Sequence, residues 1–175
     1  TLGRHKGHFE ILDAAGLLRG QPIRFLLAGP RQTSGRGDGA ELRRRAAELR
    51  LEGSVEFLGP VGEAEKADLL ARADVFLLPS HAEGMPNAVL EAMAAALPVV
   101  VTPVGSLPEM LDGEGGRFIP VVEPAALAAA LLELHRDPSR RHTMGRWNRE
   151  RAATRYGFAR VVEQLDEIYR AREGG

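Results

Sequence analysis

The sequence contains no cysteine, so it can form no disulfide framework, no thiolate metal site and no cysteine nucleophile. This absence fits a reducing compartment. The formal net charge of -1 at pH 7 shows no excess of positive charge, which argues against nucleic acid or an anionic membrane as a partner. The longest apolar run, 92–101, is about half as long as a membrane span and includes Pro98. An apolar fraction of 44% over 175 residues is typical of one globular domain with a buried core.

Several motifs of well-known catalytic and nucleotide sites are also missing. The glycine-rich stretch 32–39 has neither the dinucleotide-binding spacing G-x-G-x-x-G nor the Gly-Lys-Ser/Thr of a P-loop, and it predicts a surface loop. The five histidines show no metal-ligand spacing, so no metal site is expected. No Ser-His-Asp set stands in a recognisable motif. His81 is close to Glu83 in the sequence, but an ordinary loop residue is the simpler interpretation.

Short apolar runs alternate with helical patterns along most of the chain. The predicted strands are 23–28, 55–58, 75–78, 99–102 and 117–121. Apolar residues at helical spacing predict helices over 9–20, 42–53, 64–73 and 86–96, and Pro124 is expected to open a fifth. Strands that are apolar throughout are covered on both faces. The pattern therefore predicts an α/β fold with a doubly wound, parallel, Rossmann-like sheet.

The two ends of the chain depart from this alternation. Thr1 is not a start methionine, and Thr1–Gly3 is typical of a loop that follows a strand, so we expect a fragment of a longer protein whose first strand is truncated. A final helix is predicted by apolar residues on one face, namely Phe158, Val162, Leu165 and Tyr169. We therefore predict a domain over 1–157 and a helix over 158–175. This helix either folds back on the domain or docks on the missing part.

The stretch 76–109 carries the predicted chemistry. A buried strand ends at Leu78, and a loop leads into a helix whose first turn is expected to contain Pro86. A second apolar strand and a predicted turn at 105–109 follow. Open α/β sheets bind ligands at the carboxyl ends of their strands. The free N–H groups and the dipole of a helix start favour an anion, most often a phosphate.

Two glutamates are spaced to hold opposite ends of one ligand. Glu91 lies about five residues inside the predicted helix, roughly 7.5 Å along its axis, which suits a ribose beside a diphosphate at the helix start. Glu83 precedes the helix and would lie on the other side of the diphosphate. Two glutamates at this spacing mean little by themselves in a chain with 24 acidic residues. The surrounding order of strand, loop, helix and strand gives the pair its significance.

This stretch resembles the E-x7-E region of the family 4 glycosyltransferases, which are retaining enzymes with the GT-B fold. Glu83 and Glu91 match the two acids of that motif. The other segments that resemble the family are 3–4, 6–7, 57–59, 83–87, 90–94, 98–100, 105–109 and 156–169. The resemblance thus covers nearly the whole chain. It implies the donor-binding, C-terminal half of a GT-B enzyme.

The resemblance also implies catalytic roles. Arg4 and Lys6 would neutralise the diphosphate of the donor, so that no metal ion or other cofactor is needed. Arg4 and Lys6 are two residues apart, whereas the family usually separates these two cations by several residues, so Lys6 is the better match. Glu83 would bind hydroxyls of the transferred sugar.

Binding roles follow from the same resemblance. Gly84, Met85 and Asn87 would face the phosphates, with Met85 and Asn87 as the expected N–H donors because proline at position 86 lacks one. Glu91 would bind the ribose, and backbone near Val61 would hold the nucleobase.

The function implied is that of a retaining, metal-independent hexosyltransferase. It would move a sugar from a nucleotide-diphosphate sugar, expected to be a UDP-sugar, to a glycan, lipid or small-molecule acceptor, as in bacterial polysaccharide synthesis. The acceptor would bind the absent N-terminal domain, so the fragment alone is expected to be inactive. One further expectation is that two copies of the chain form a weak homodimer through the C-terminal helix.

Two alternatives and the location remain open. The chain could be a nucleotide-sugar-binding module without catalysis, or part of another GT-B enzyme such as a sugar-nucleotide epimerase. Lys6 together with both glutamates favours the transferase. We expect a cytoplasmic location, either free or peripheral at the inner face of the membrane through the missing domain.

Overall fold

The computed structural model describes residues 2–29, 38–120, 123–157 and 160. Strands and helices alternate over most of this part of the chain. The strands are β1 Phe25–Ala28, β2 Val55–Gly59, β3 Phe76–Leu78, β4 Val99–Val101 and β5 Gly116–Phe118. The helices are α1 His8–Leu17, α2 Asp38–Glu48, α3 Glu63–Arg72, α4 Asn87–Ala94, α5 Leu107–Leu111, α6 Pro124–Arg136 and α7 Pro138–Arg155. A short 3-10 turn, Arg4–Lys6, precedes α1.

The strand pairs that the structure describes are all parallel. β1 pairs with β2, and β4 lies between β3 and β5. In the second group Phe76 is opposite Val99, and Val99 is opposite Gly116. Parallel strands joined through helices confirm the predicted α/β class.

The centre of the core is β4. Its three valines are fully buried, as expected of a strand that helices cover on both faces. Val100 packs in one apolar cluster with residues of α1 and α6, such as Leu127. Val99 and Val101 point to the opposite face and pack in a second cluster with residues of α4 and α5, such as Met93. One continuously apolar strand thus joins two layers of helices.

The turn predicted at 105–109 is confirmed only for 105–106, because a short helix, α5, occupies 107–111. Leu107, Met110 and Leu111 are all fully buried and lie on one helical face. Pro108 is in the first turn, where its missing N–H leaves no bond unmade. The strand predicted over 117–121 begins one residue earlier and ends at Phe118.

Helix α7 was not predicted as an element, and buried polar contacts attach it to the sheet. Asn148 is fully buried and donates from Nδ2 to the carbonyls of Leu97 (2.7 Å) and Gly115 (2.8 Å). Gly145 packs directly on the backbone of Ala96, since a Cβ there would lie 1.9 Å from that carbonyl oxygen. The Asp137 side chain caps the helix by accepting from the N–H of Arg140 at 2.9 Å.

Some predictions fall outside the described residues. These are most of the glycine-rich loop 32–39, the end of the fifth predicted strand at 121 and nearly all of the final helix over 158–175. The domain boundary after 157 therefore stays a prediction. Within the described ranges, the structure contains no helix with the length and apolarity that crossing a membrane requires.

Candidate functional site

Three segments meet beyond the carboxyl ends of β3 and β4. They are the turn Arg4–Lys6 with the start of α1, the loop 79–86 between β3 and α4, and the loop 102–106 after β4. The first two are joined by a hydrogen bond from the N–H of His81 to the carbonyl of His5, at 2.9 Å. This edge is where an open parallel sheet binds its ligands.

Two glycines let these segments approach each other backbone to backbone. Gly7 has φ +74°, and a Cβ there would lie 2.0 Å from the carbonyl oxygen of Pro79. Gly105 has φ +57°, and a Cβ there would lie 2.2 Å from the carbonyl oxygen of Glu83. Only glycine fits such positions without strain. The backbone that carries Glu83 is therefore held from both sides.

Ser106 adds two bonds to the same loop. Its N–H and its Oγ both donate to the carbonyl of Gly84, at 3.1 Å and 2.9 Å. Thr102, fully buried, donates from Oγ1 to the carbonyl of Ser80. The loop before α4 is thus fixed by residues after β4, which lie more than 15 positions further along the chain.

The carboxylate of Glu83 is almost completely buried, with 6% of the side chain exposed. Lys6 donates from Nζ to both carboxylate oxygens, at 2.7 Å to Oε1 and 2.8 Å to Oε2. The buried Ser80 donates from Oγ to Oε1 at 2.6 Å. The structure therefore brings the two predicted residues Lys6 and Glu83 into direct contact.

Helix α4 begins directly after this loop, at Asn87. Pro86 was expected inside the first turn, but it precedes the helix with φ -78° and ψ 106°, the extended backbone usual for the residue before a helix. Its carbonyl accepts from the N–H groups of Val89 and Leu90. The N–H groups of Asn87 and Ala88 have no acceptor among the residues that the structure describes. This helix start can therefore receive an anion.

Glu91 lies four residues after Asn87, about 6 Å further along the helix axis. Its Oε1 accepts from Lys66 Nζ of α3 at 2.9 Å. The same ammonium contacts Glu63 at 2.9 Å. These two hydrogen bonds, the one to Glu91 first, raise the pKa of Lys66 above its usual value. Both side chains are partly exposed, 31% for Lys66 and 37% for Glu91.

The other predicted residues surround this centre. Val61 is half-buried in the loop between β2 and α3. Gly84 and Met85 are exposed in the loop before α4. Arg4 forms an ion pair with Glu41 of α2 and lies over the ring of Phe9, 4.1 Å from its centroid. These contacts of Arg4 are with α1 and α2, whereas Lys6 contacts Glu83.

Sequence reasoning missed four side chains that position the site. Ser80, Thr102 and Ser106 hold the Glu83 loop, and Lys66 holds Glu91. Ser80 and Thr102 had a local signal, since each is a hydroxyl residue at the end of a buried strand. The others act through contacts between residues 22 or more positions apart, which no local pattern reveals.

Residues 1–137 match the family model for group 1 glycosyl transferases. The chain belongs to this family. It is 34% identical over 175 residues to the D-inositol 3-phosphate glycosyltransferase of Corynebacterium urealyticum. That alignment covers 97% of this chain and 41% of the relative, so the chain spans about two-fifths of the relative's length.

Solved structures show the same fold. Anabaena HepE in complex with UDP and glucose has a TM-score of 0.86 at 24% identity, over 96% of this chain and 45% of that one. The C-terminal domain of a group 1 family glycosyltransferase from Francisella tularensis has a TM-score of 0.78 at 25% identity, over 90% of this chain and 83% of that one. These likenesses confirm the predicted fold, the C-terminal half of a GT-B glycosyltransferase.

Proposed function

We propose that this chain is the donor-binding domain of a retaining hexosyltransferase that uses a UDP-sugar and needs no metal ion. The observation that carries this proposal is the contact between Lys6 and the buried Glu83 carboxylate, beside the open N-terminus of α4. A cation, an acid and free N–H groups are thereby gathered at one edge of the sheet. A nucleotide-diphosphate sugar offers a matching set of anion, sugar hydroxyls and ribose.

The diphosphate is proposed to lie at the start of α4. The free N–H groups of Asn87 and Ala88 point along the helix dipole toward it, and Gly84 and Met85 border the same space. When the bond between the anomeric carbon and the diphosphate oxygen breaks, negative charge grows on the leaving group. Lys6 and the helix terminus stabilise that charge, which is the part a metal ion would otherwise play.

Glu83 is proposed to bind the transferred sugar. An ionised carboxylate has about four acceptor positions, two on each oxygen. Lys6 and Ser80 together occupy three of them, two on Oε1 and one on Oε2. One position on Oε2 remains for a sugar hydroxyl, and two more, one on each oxygen, open if Lys6 turns from Glu83 to the diphosphate.

The nucleoside is proposed to lie between α4 and the loop that carries Val61. Glu91 accepts from the ribose hydroxyls, and backbone near Val61 binds the base. Arg4 is proposed to turn from Glu41 toward the diphosphate when the donor binds. For the whole protein we propose that the acceptor binds a domain outside this chain and that the site of action is cytoplasmic.

Calorimetric titration of the chain with UDP, GDP and ADP tests the donor proposal. We expect UDP to bind most tightly and with unchanged affinity after all divalent metal has been removed with EDTA. An absolute requirement for a divalent metal, or no binding of any of the three nucleotides, would refute it.

For the whole protein, inositol 3-phosphate is the first acceptor to try, since the Corynebacterium urealyticum relative is named for it. If the enzyme is retaining, the transferred sugar has the same anomeric configuration in the product as in the donor, and proton NMR measures this configuration.

A further inference from the structure

The chain has only two lysines, although lysine and arginine together number 23. Each lysine contacts one glutamate of the E-x7-E pair: Lys6 contacts Glu83, and Lys66 contacts Glu91. Arginine serves in the other ion pairs of the described residues, except for one contact of His81 with Glu10 and one of Lys66 with Glu63. A chain that otherwise uses arginine thus places lysine at both of these glutamates.

The contact between Lys66 and Glu91 has a one-sided geometry. Lys66 Nζ donates to Oε1 of Glu91 at 2.9 Å, and no described residue donates to Oε2. An ammonium is a compact charge that can satisfy one oxygen of a carboxylate and leave the other open. An arginine fork matches both oxygens at once and would leave Glu91 with less capacity for a ligand.

The contact also joins the two elements that flank the proposed nucleoside. Lys66 is on α3, which begins two residues after Val61, and Glu91 is on α4. An unpaired Glu91 side chain at this partly exposed position would sample several rotamers, and the ion pair favours the one that contacts Lys66. Ordering an acceptor before the ligand arrives lowers the entropic cost of binding.

We propose that Lys66 is a positioning residue that holds Glu91 with its Oε2 open to the ribose hydroxyls, and so favours ribonucleotides over their deoxy forms. This inference rests on the proposed function, because it needs a nucleotide beside Glu91. It concerns a residue on a different helix from the motif. Lys66 acts through Glu91 and contacts neither phosphate nor sugar.

A comparison of two ligands tests this role. UDP and 2′,3′-dideoxy-UDP are titrated into the wild-type chain and into Lys66→Met, Lys66→Arg, Glu91→Gln and the Lys66→Met/Glu91→Gln double variant. We expect Lys66→Met to weaken UDP about two- to fivefold, the range typical of a partly exposed ion pair, and to leave dideoxy-UDP unchanged. Lys66→Arg should not restore the affinity. In the Glu91→Gln background, Lys66→Met should have no further effect.

Arg72→Met is the matched control, because Arg72 is an exposed cation at the other end of α3. It should bind both nucleotides like the wild type. Equal losses for UDP and dideoxy-UDP would overturn the inference, since they would mean that Lys66 acts on the phosphates or on the fold. Full rescue by Lys66→Arg, or unchanged UDP affinity in Lys66→Met, would overturn it as well. A wild-type chain that binds no nucleotide would instead remove the proposed function, and the inference with it.

Discussion

Loss of the Lys6 charge should destabilise the fold more than loss of the Glu83 charge, and the two effects should not be additive. Replacing Lys6 by methionine leaves a carboxylate that is only 6% exposed, whereas replacing Glu83 by glutamine leaves an ammonium that is 27% exposed. Breaking a fully buried ion pair costs about 3–5 kcal/mol, and partial exposure reduces that cost. We therefore expect a loss of about 2–3 kcal/mol in the free energy of unfolding for Lys6→Met and about 1–2 kcal/mol for Glu83→Gln.

The double variant isolates the interaction between the two side chains. Because Lys6→Met/Glu83→Gln leaves neither charge behind, it should be about as stable as Glu83→Gln alone, which corresponds to a coupling of about 2–3 kcal/mol, the full cost of Lys6→Met. Urea unfolding followed by circular dichroism at pH 7 measures all three free energies, provided that the m-value is unchanged. For a chain of this length, Lys6→Met should also lower Tm by about 5–10 °C.

An exposed pair provides the control. Arg24 and Glu56 form an ion pair at 3.2 Å with 73% and 52% of their side chains exposed. Arg24→Met and Glu56→Gln should each change the free energy of unfolding by less than about 0.5 kcal/mol. Strict additivity of Lys6→Met and Glu83→Gln would show that the two side chains do not meet in solution. A larger cost for Glu83→Gln than for Lys6→Met would refute the argument from burial.

Two further predictions concern the same edge of the sheet. Burial, the largest cause, lowers the pKa of His8, so the unfolded chain binds more protons than the folded chain in mildly acidic solution. The free energy of unfolding should therefore fall as the pH drops through about 6.5. His8→Asn should flatten this dependence in urea midpoints measured from pH 5 to 8. If the urea midpoint of His8→Asn depends on pH as strongly as that of the wild type, other groups cause the dependence. Gly105→Ala should cost about 2–3 kcal/mol in unfolding free energy and weaken UDP binding, because it forces the Glu83 loop to move. Gly53→Ala is its control, since no atom lies within 4 Å of the added Cβ, and equal stability of the two variants would contradict the proposed close approach.

The fold was predictable from local patterns where burial is continuous. β4 was recognised because 99–101 is apolar without interruption, and its neighbour β3 because it repeats the same pattern. Helix α7 was missed because only Met144, Gly145, Asn148 and Ala152 are buried over its 18 residues, which gives no apolar stripe to recognise. Its attachment depends on the contacts of Asn148 and Gly145 with the backbone of 96–97, and neither residue type by itself predicts such contacts.

The sequence indicated which residues form the candidate site, but not which of them contact each other. Lys6 was chosen from the family resemblance and Glu83 from its place before the predicted helix, each for a separate part of the donor. Their direct contact joins positions 77 residues apart, and it exists because Gly7 and Gly105 bring three loops together. Lys66 had no local signal of its own, since a lysine on an exposed helix most often contacts only solvent.

The two glutamates of the motif are therefore prepared for a ligand in different ways. Glu83 is held by bonds from Lys6 and Ser80, and its backbone packs closely against Gly105, so its position is set before any donor arrives. Glu91 is on a regular helix, and among the described residues its carboxylate accepts a single, partly exposed bond, from Lys66. Preorganisation matters most where charge and bonding change during a reaction. The better-ordered acid is thus the one proposed to face the transferred sugar, and the looser one is proposed to face the ribose, which stays intact.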